Sequence, residues 1–188
     1  MRLFTTPKCL YERLEREYEG REILEIGVGQ RKLKGAVGID QRTNALADIH
    51  HDLNLFPWPV RDNAFDLILC RHVLEHLREL DRVMEEVYRI GRPGSQVVLE
   101  VPHFSNVEAY RHWQHVHYFT AGSFDFFHPG NRQYQAHLKI LFRRIFFDDL
   151  SRLFLIEFFA NRFVRLYERR FAFLFPAGSI YMVLEVVK

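Results

Sequence analysis

The sequence predicts an α/β fold: a doubly wound, mostly parallel sheet in one domain spanning residues 1–188. Three observations predict it. Short apolar runs alternate with segments of helical period through residue 102, the pattern of strand–crossover–strand units. The first run, Ile23-Leu24-Glu25-Ile26, stops on Gly27-Val28-Gly29, and the second, Val37-Gly38-Ile39-Asp40, ends in an acid. A glycine turn after one strand and a carboxylate after the next is how open α/β sheets hold a ligand at the carboxyl ends of their strands.

The elements follow in order. Leu10, Leu14 and Tyr18 recur at four-residue spacing among Glu and Arg, giving an amphipathic helix from about Pro7 that ends near Gly20. Two strands follow, Ile23–Ile26 and the one ending at Asp40. Ala45–His50 is a weaker third strand at the sheet edge, leading into Asp52-Leu53-Asn54 and a rigid Phe56-Pro57-Trp58-Pro59 loop. Phe65–Cys70 reads as the fourth strand. It feeds Arg71–Leu77 and a helix running to about Ile90, whose Val73, Leu77, Leu80, Met84 and Val87 form one apolar stripe. Gly91 and Pro93-Gly94 carry stop and turn chemistry, and Gln96–Val101 is the fifth strand, closed by Pro102. Residues 103–137 form a histidine-rich, mostly irregular stretch. Leu138–Phe147 and Ile180–Val187 read as strands six and seven, flanking a Phe- and Arg-rich helical segment. The first 102 residues thus make a ligand-binding half, and residues 103–188 a substrate-facing half.

Composition narrows the class. Apolar residues make up 48% and charged residues 27%, close to globular averages, so the chain is not disordered. A net charge of +2 is too small for nucleic acid to be a bulk electrostatic partner. Cys9 and Cys70 lack CxxC spacing, which argues against a disulfide framework or a zinc ribbon. With no apolar run near about 18 residues and no signal-peptide core at the start, the expected location is cytoplasmic.

The glycine turn discriminates between nucleoside ligands. A dinucleotide fingerprint wants a third glycine where this chain has Lys32, and a long helix whose N-terminus faces a pyrophosphate. Only Gln30–Lys34 separate Gly29 from Gly35, enough for about one helical turn. That is a weak phosphate cradle. The stretch favours S-adenosylmethionine, which has no phosphate, over NAD.

Taken together, Leu24–Gly29, Gly38-Ile39-Asp40, Asp52-Leu53, Phe65–Ile68, His72–Leu77 and Tyr88–Gly94 resemble the class I S-adenosylmethionine-dependent methyltransferases in order and spacing. The resemblance covers residues 23 to 102. It implies a Rossmann-like, seven-stranded sheet with an antiparallel last strand, and S-adenosylmethionine as cofactor. It also implies roles. The backbone of Gly27, Val28 and Gly29 lies along the methionine part of the cofactor, and Glu25 positions its ammonium. Asp40, with Gln41 beside it, takes the ribose hydroxyls; Asp52 takes the adenine amino group, with Leu53 packed on the ring. Cys70 and Arg71 present backbone to the ammonium. The remainder resembles a subgroup of that family through Pro102–Ser105, Phe119–Phe124 and Phe175-Pro176-Ala177. Relatives of that subgroup often carry Asp-Pro-Thr-His where this chain has His112-Trp113-Gln114-His115, of which His115 alone keeps its identity.

Beyond the cofactor, an amine or hydroxyl acceptor must lose a proton, which a His near neutral pKa can take. His115 is the first candidate, His117 the second, and His72 the third, with His103 and His112 in the same group. The acceptor expected is a small molecule, a glycan or a lipid-linked group. A metal held by His103, His112, His115 and His117 matches no metal-binding spacing, so no metal site is expected. His50, His51 and His76 read as strand-edge and helix-surface residues. The aromatics of residues 153–175, interleaved with arginines, read as an amphipathic helix packing Phe inward, or else as a peripheral membrane or dimer contact. Three alternatives to methyl transfer stay open: a non-catalytic nucleoside-binding module, a His-cluster metal-dependent hydrolase and, more distantly, an NAD oxidoreductase.

Overall fold

Apolar strands and their turns assemble into one seven-stranded sheet in a computed structural model that describes residues 7–147 and 155–188. The strands are β1 (Ile23–Ile26), β2 (Val37–Asp40), β3 (Ile49–His50), β4 (Phe65–Arg71), β5 (Gly91–Pro102), β6 (Leu138–Phe146) and β7 (Ser179–Val186). Their order is β3-β2-β1-β4-β5-β7-β6. The first five pair in parallel, and β7 runs antiparallel to both neighbours. The expected doubly wound sheet with a reversed last strand is therefore present. β6 enters at the edge, and β7 inserts between it and β5.

Alternation along β4 shows how the sheet is buried on both faces. Ile68 and Cys70 join the core beneath helix α2 (Leu80–Ile90), with Val83, Met84, Val87 and Ile90. Leu67 and Leu69 point the other way, to Leu14 and Tyr18 of helix α1 (Pro7–Glu17) and its C-terminal turn, together with Tyr181. The Leu10 position of that stripe lies where side chains are outside the described set.

Three local readings change. Between Gly29 and Gly35 the chain makes only hydrogen-bonded turns, so not even the single expected helical turn forms. The segment after β4 does not continue as one helix: a 3₁₀ turn at Leu74–His76 is followed by α2. Strand β5 begins at Gly91 itself. Phe65 pairs with Gly91 and Leu67 with Gln96, so residues 92–95 bulge out of the ladder, and Arg92 Nη1 reaches both oxygens of Asp66 at 2.7 Å.

The second half carries helix α3 (Val107–Arg111), a 3₁₀ turn at Asp125–Phe127, and helices α4 (Ile156–Arg162) and α5 (Val164–Arg170). The segment expected to be helical is broken at Phe163 (φ −129°, ψ 52°). Most of its Phe side chains do not point inward as the amphipathic reading expects; Phe171 is half-buried against the inner cluster. Ala160, Tyr167 and Ala172 are buried, whereas Phe158, Phe163, Leu166, Phe173 and Leu174 are exposed alongside Arg162, Arg165, Arg169 and Arg170. Leu153 and Phe154 lie outside the described residues.

Candidate nucleoside and acceptor site

The strand order reverses between β1 and β4, so the crossovers leave in opposite directions there and open a crevice at the carboxyl ends of both strands. A cavity of about 770 Å³ occupies this end of the sheet, within the range of small-molecule sites. Gly27 after β1, Asp40 and Gln41 at the end of β2, Asp52 and Leu53 after β3, and His72 after β4 all line it. Four loops thus converge because each follows a strand end.

The glycine turn is sterically required. Gly27 has φ +66°, and a Cβ there would lie 2.5 Å from Val73 Cγ2. Gly29 has φ +58°; its N–H donates to Asp40 Oδ2 at 3.0 Å. Asp40 is buried, and its carboxylate also accepts from the Arg42 N–H at 2.9 Å and from the Arg42 guanidinium. Burial works against the Asp40 charge, but these donors win and hold its pKa below the usual carboxylate value. Asp52 is likewise lowered, first by the Asn54 N–H on Oδ1 at 2.9 Å.

Other residues named from sequence sit behind this lining. Glu25 is buried, Oε2 accepting the Leu33 N–H at 2.7 Å and Oε1 the Arg71 guanidinium, with Nε at 3.0 Å. Its carboxylate is engaged with protein on both oxygens. The Cys70 thiol is fully buried, and desolvation, with Glu25 and Glu75 nearby, pushes its pKa far up, so it is inert. Val28 is also buried. Val28, Gly29, Cys70 and Arg71 flank the cavity only as neighbours in chain to its lining.

The histidines divide into three environments. His72 lies in the left-handed region at φ +49°, which is uncommon for a residue other than glycine and is found at functional sites. Its Nδ1 is 3.5 Å from Glu75 Oε1 and its Nε2 3.7 Å from Glu100 Oε1. Burial lowers its pKa, but the Glu100 and Glu75 carboxylates outweigh that and raise it to about 9. At neutral pH His72 is a cation, the wrong form for a general base. Glu75 is buried, and its Oε2 has no hydrogen-bond partner among the described residues.

His103 is fully buried and does not line the cavity. Its Nδ1 meets Ser105 Oγ at 2.8 Å and its Nε2 faces Glu168 Oε1 at 3.3 Å, tying the loop after β5 to α5. His117 turns to the Arg78 carbonyl at 3.2 Å. The four-His metal grouping considered from sequence is therefore not formed. Instead His76, read as a helix-surface residue, joins His112 and His115, with ring centroids 4.6 to 5.2 Å apart. Burial lowers the His76 pKa, and the two neighbouring rings add to that against the pull of Glu75. His76, His112 and the exposed Trp113 line the same cavity as Gly27 and Asp40. His76 was missed because its partners lie some 36 residues away.

The cavity fits S-adenosylmethionine in kind. Buried and half-buried carboxylates face it at the ends of β2 and β3, and Gly27 lines it as bare backbone, held there because any Cβ would be driven into Val73.

The chain is similar to known methyltransferases in sequence and fold. A family model described as a methyltransferase domain matches residues 6–137. A Mycolicibacterium smegmatis protein named "Probable S-adenosylmethionine-dependent methyltransferase" is 27% identical over 116 residues, covering 53% of this chain and 45% of that protein. The match therefore spans less than half the length of that curated relative. Among solved structures, an S-adenosylmethionine-dependent methyltransferase from Archaeoglobus fulgidus superposes with a TM-score of 0.61 at 16% identity, covering 96% of this chain and 94% of its own. The YcgJ protein of Bacillus subtilis gives 0.65 at 14% identity, covering 95% and 97%. At these identities the superpositions show a shared fold.

Proposed function

The chain belongs to the methyltransferase-domain family, and from that premise we propose that it transfers a methyl group from S-adenosylmethionine to a small-molecule, glycan or lipid-linked acceptor. The single observation that carries this reading is the convergence of Gly27, Asp40 and Asp52 on one cavity at the strand-order reversal. Asp40 is the ribose ligand, because a buried carboxylate kept ionised by two backbone N–H groups can accept both hydroxyls of a diol. Gln41 adjoins it, Asp52 takes the adenine amino group, and Leu53 packs on the ring. The backbone from Gly27 to Gly29 borders the amino-acid end.

Bound S-adenosylmethionine supplies an electrophilic methyl on a sulfonium. The protein's contribution is to hold donor and acceptor in line at near-attack distance. Glu25 acts from behind: its salt bridge fixes Arg71 and its Oε2 fixes the Leu33 N–H, so it shapes the loop after β1. Neither His115 nor His117 lines the cavity, and His117 is turned to the Arg78 carbonyl, so an acceptor proton, where there is one, leaves to solvent. His72, as a cation between Glu75 and Glu100, orients the turn after β4.

The acceptor's class draws on a second observation. Phe158, Phe163, Leu166, Phe173 and Leu174 are exposed beside four exposed arginines, which supports contact with an anionic membrane surface and hence a lipid-linked acceptor. Among the described residues no helix is long and apolar enough to cross a membrane.

Incubation with methyl-labelled S-adenosylmethionine and a panel of phenols, amines, sugars and lipid-linked sugars tests the reading. Label transfer to one class, abolished in Asp40→Ala, is expected. Tight cofactor binding with no transfer to any class would instead make the protein a nucleoside-binding module.

A further inference from the structure

Three imidazoles meet at the rim of the cavity, and their surroundings prepare them for more than packing. His112 and His115 are brought to one side of a turn closed by the His115 N–H on the His112 carbonyl at 3.0 Å. Their rings stack at 17° with centroids 5.0 Å apart, and His76 meets both edge-on. The backbone pins this loop to the 3₁₀ turn: the Val116 N–H donates to the Glu75 carbonyl at 2.8 Å. One ring nitrogen of each residue lies within 4.8 Å of the others.

Hydrogen bonds decide which nitrogens are free. His115 Nδ1 is 2.9 Å from the Ala109 carbonyl, which can only accept, so Nδ1 carries the proton and Nε2 keeps its lone pair. An imidazole that donates one N–H to a backbone carbonyl is oriented, and made more basic, for metal binding through the other nitrogen.

We propose that His76, His112 and His115 form a site for a zinc-class divalent metal ion. Three neutral imidazoles suit zinc, copper, iron or nickel far better than magnesium or calcium, which take oxygen ligands. With Zn–N bonds of about 2.0–2.1 Å, tetrahedral ligation needs nitrogens about 3.3 Å apart. The rings must therefore close by at most about 1.5 Å from 4.8 Å, and His112 is exposed and free to turn. Three protein ligands leave a fourth position, as in sites where a metal meets water or substrate. His76 and His112 line the cavity, so the fourth ligand is water or an oxygen, nitrogen or sulfur atom of the acceptor. This departs from the expectation of no metal site, which rested on the spacing of His103, His112, His115 and His117 and placed His76 on a helix surface. It does not depend on methyl transfer, since metal binding is read directly.

Tag-free protein, treated with chelator, is titrated with Zn(II) against a chromophoric competitor and separately with Co(II). The expected result is one equivalent of Zn(II), and visible Co(II) bands of four-coordinate strength. His112→Ala and His115→Ala should each weaken Zn(II) binding at least tenfold, while His128→Ala, outside the cluster, leaves it unchanged. Absence of one-equivalent binding by the parent protein would overturn the proposal. So would affinities in both cluster variants within threefold of the parent.

Discussion

Arg42 closes over Asp40: its Nε lies 3.3 Å from Oδ1 and its Nη2 3.1 Å from Oδ2, so the carboxylate that would receive a ribose is already clasped. The guanidinium is well exposed and the carboxylate buried, so the clasp is on the solvent side. A diol must displace it, while the Gly29 and Arg42 N–H groups stay in place. Arg42→Ala should therefore bind S-adenosylmethionine about two- to tenfold more tightly, since an ion pair whose guanidinium is open to solvent contributes only about 1 kcal/mol. Calorimetric titration of the variant checks this; weaker binding would make Arg42 a cofactor ligand rather than a competitor.

His72 predicts a pH dependence. Its folded pKa of about 9 stands above the unfolded value of 6.5, so its stabilising contribution is complete below about pH 6.5 and is lost as pH rises through 9. Thermal melts between pH 6 and 9.5 should show this decline in the parent protein and a flatter profile in His72→Asn, a residue that tolerates left-handed backbone. NMR titration of the ring should find it protonated at pH 7.5, and Glu100→Gln should bring the midpoint down.

His103 predicts a stability effect without a binding effect. It is fully buried between Ser105 and Glu168, and Glu168 Oε1 also accepts the Ala121 N–H at 2.7 Å. His103→Ala leaves a cavity and strands buried polar groups, costing about 2–4 kcal/mol. For a chain of this size that lowers Tm by roughly 5–15 °C. Affinity for the cofactor should stay within twofold by calorimetry at 15 °C.

The exposed aromatic patch predicts vesicle binding. Cosedimentation with vesicles rich in phosphatidylglycerol should exceed that with phosphatidylcholine, and Phe158→Ser with Phe173→Ser should abolish the difference. Equal recovery on both vesicle types, with a dimer by light scattering, would assign the patch to self-association.

What the sequence made legible was periodic or local. Apolar runs with glycine or acid at their ends placed β1, β2, β4 and β7 within a residue or two, and put Gly27, Asp40 and Asp52 at one end of the sheet. What it hid depended on distant partners. The His76 cluster exists because residues 112–116 fold back on the Leu74–His76 turn. Phe158 and Phe159 of α4 and Leu166 of α5 face outward because Ala160, Tyr167 and the Arg144–Glu157 ion pair fill the inner side, and one-dimensional spacing cannot rank those claims. Strand β5 starts early because a four-residue bulge absorbs the Pro93-Gly94 turn that reads as a break.

Calorimetric titration with S-adenosylmethionine, S-adenosylhomocysteine and NAD, on the parent protein and on Asp40→Ala, tests the central assignment most directly. Micromolar binding of the two sulfur ligands with NAD inert is expected, and Asp40→Ala should lose at least tenfold, the equivalent of about 1.4 kcal/mol or more. Unchanged affinity in Asp40→Ala, or no binding of either sulfur ligand, would contradict the assignment of this cavity to the methyl donor.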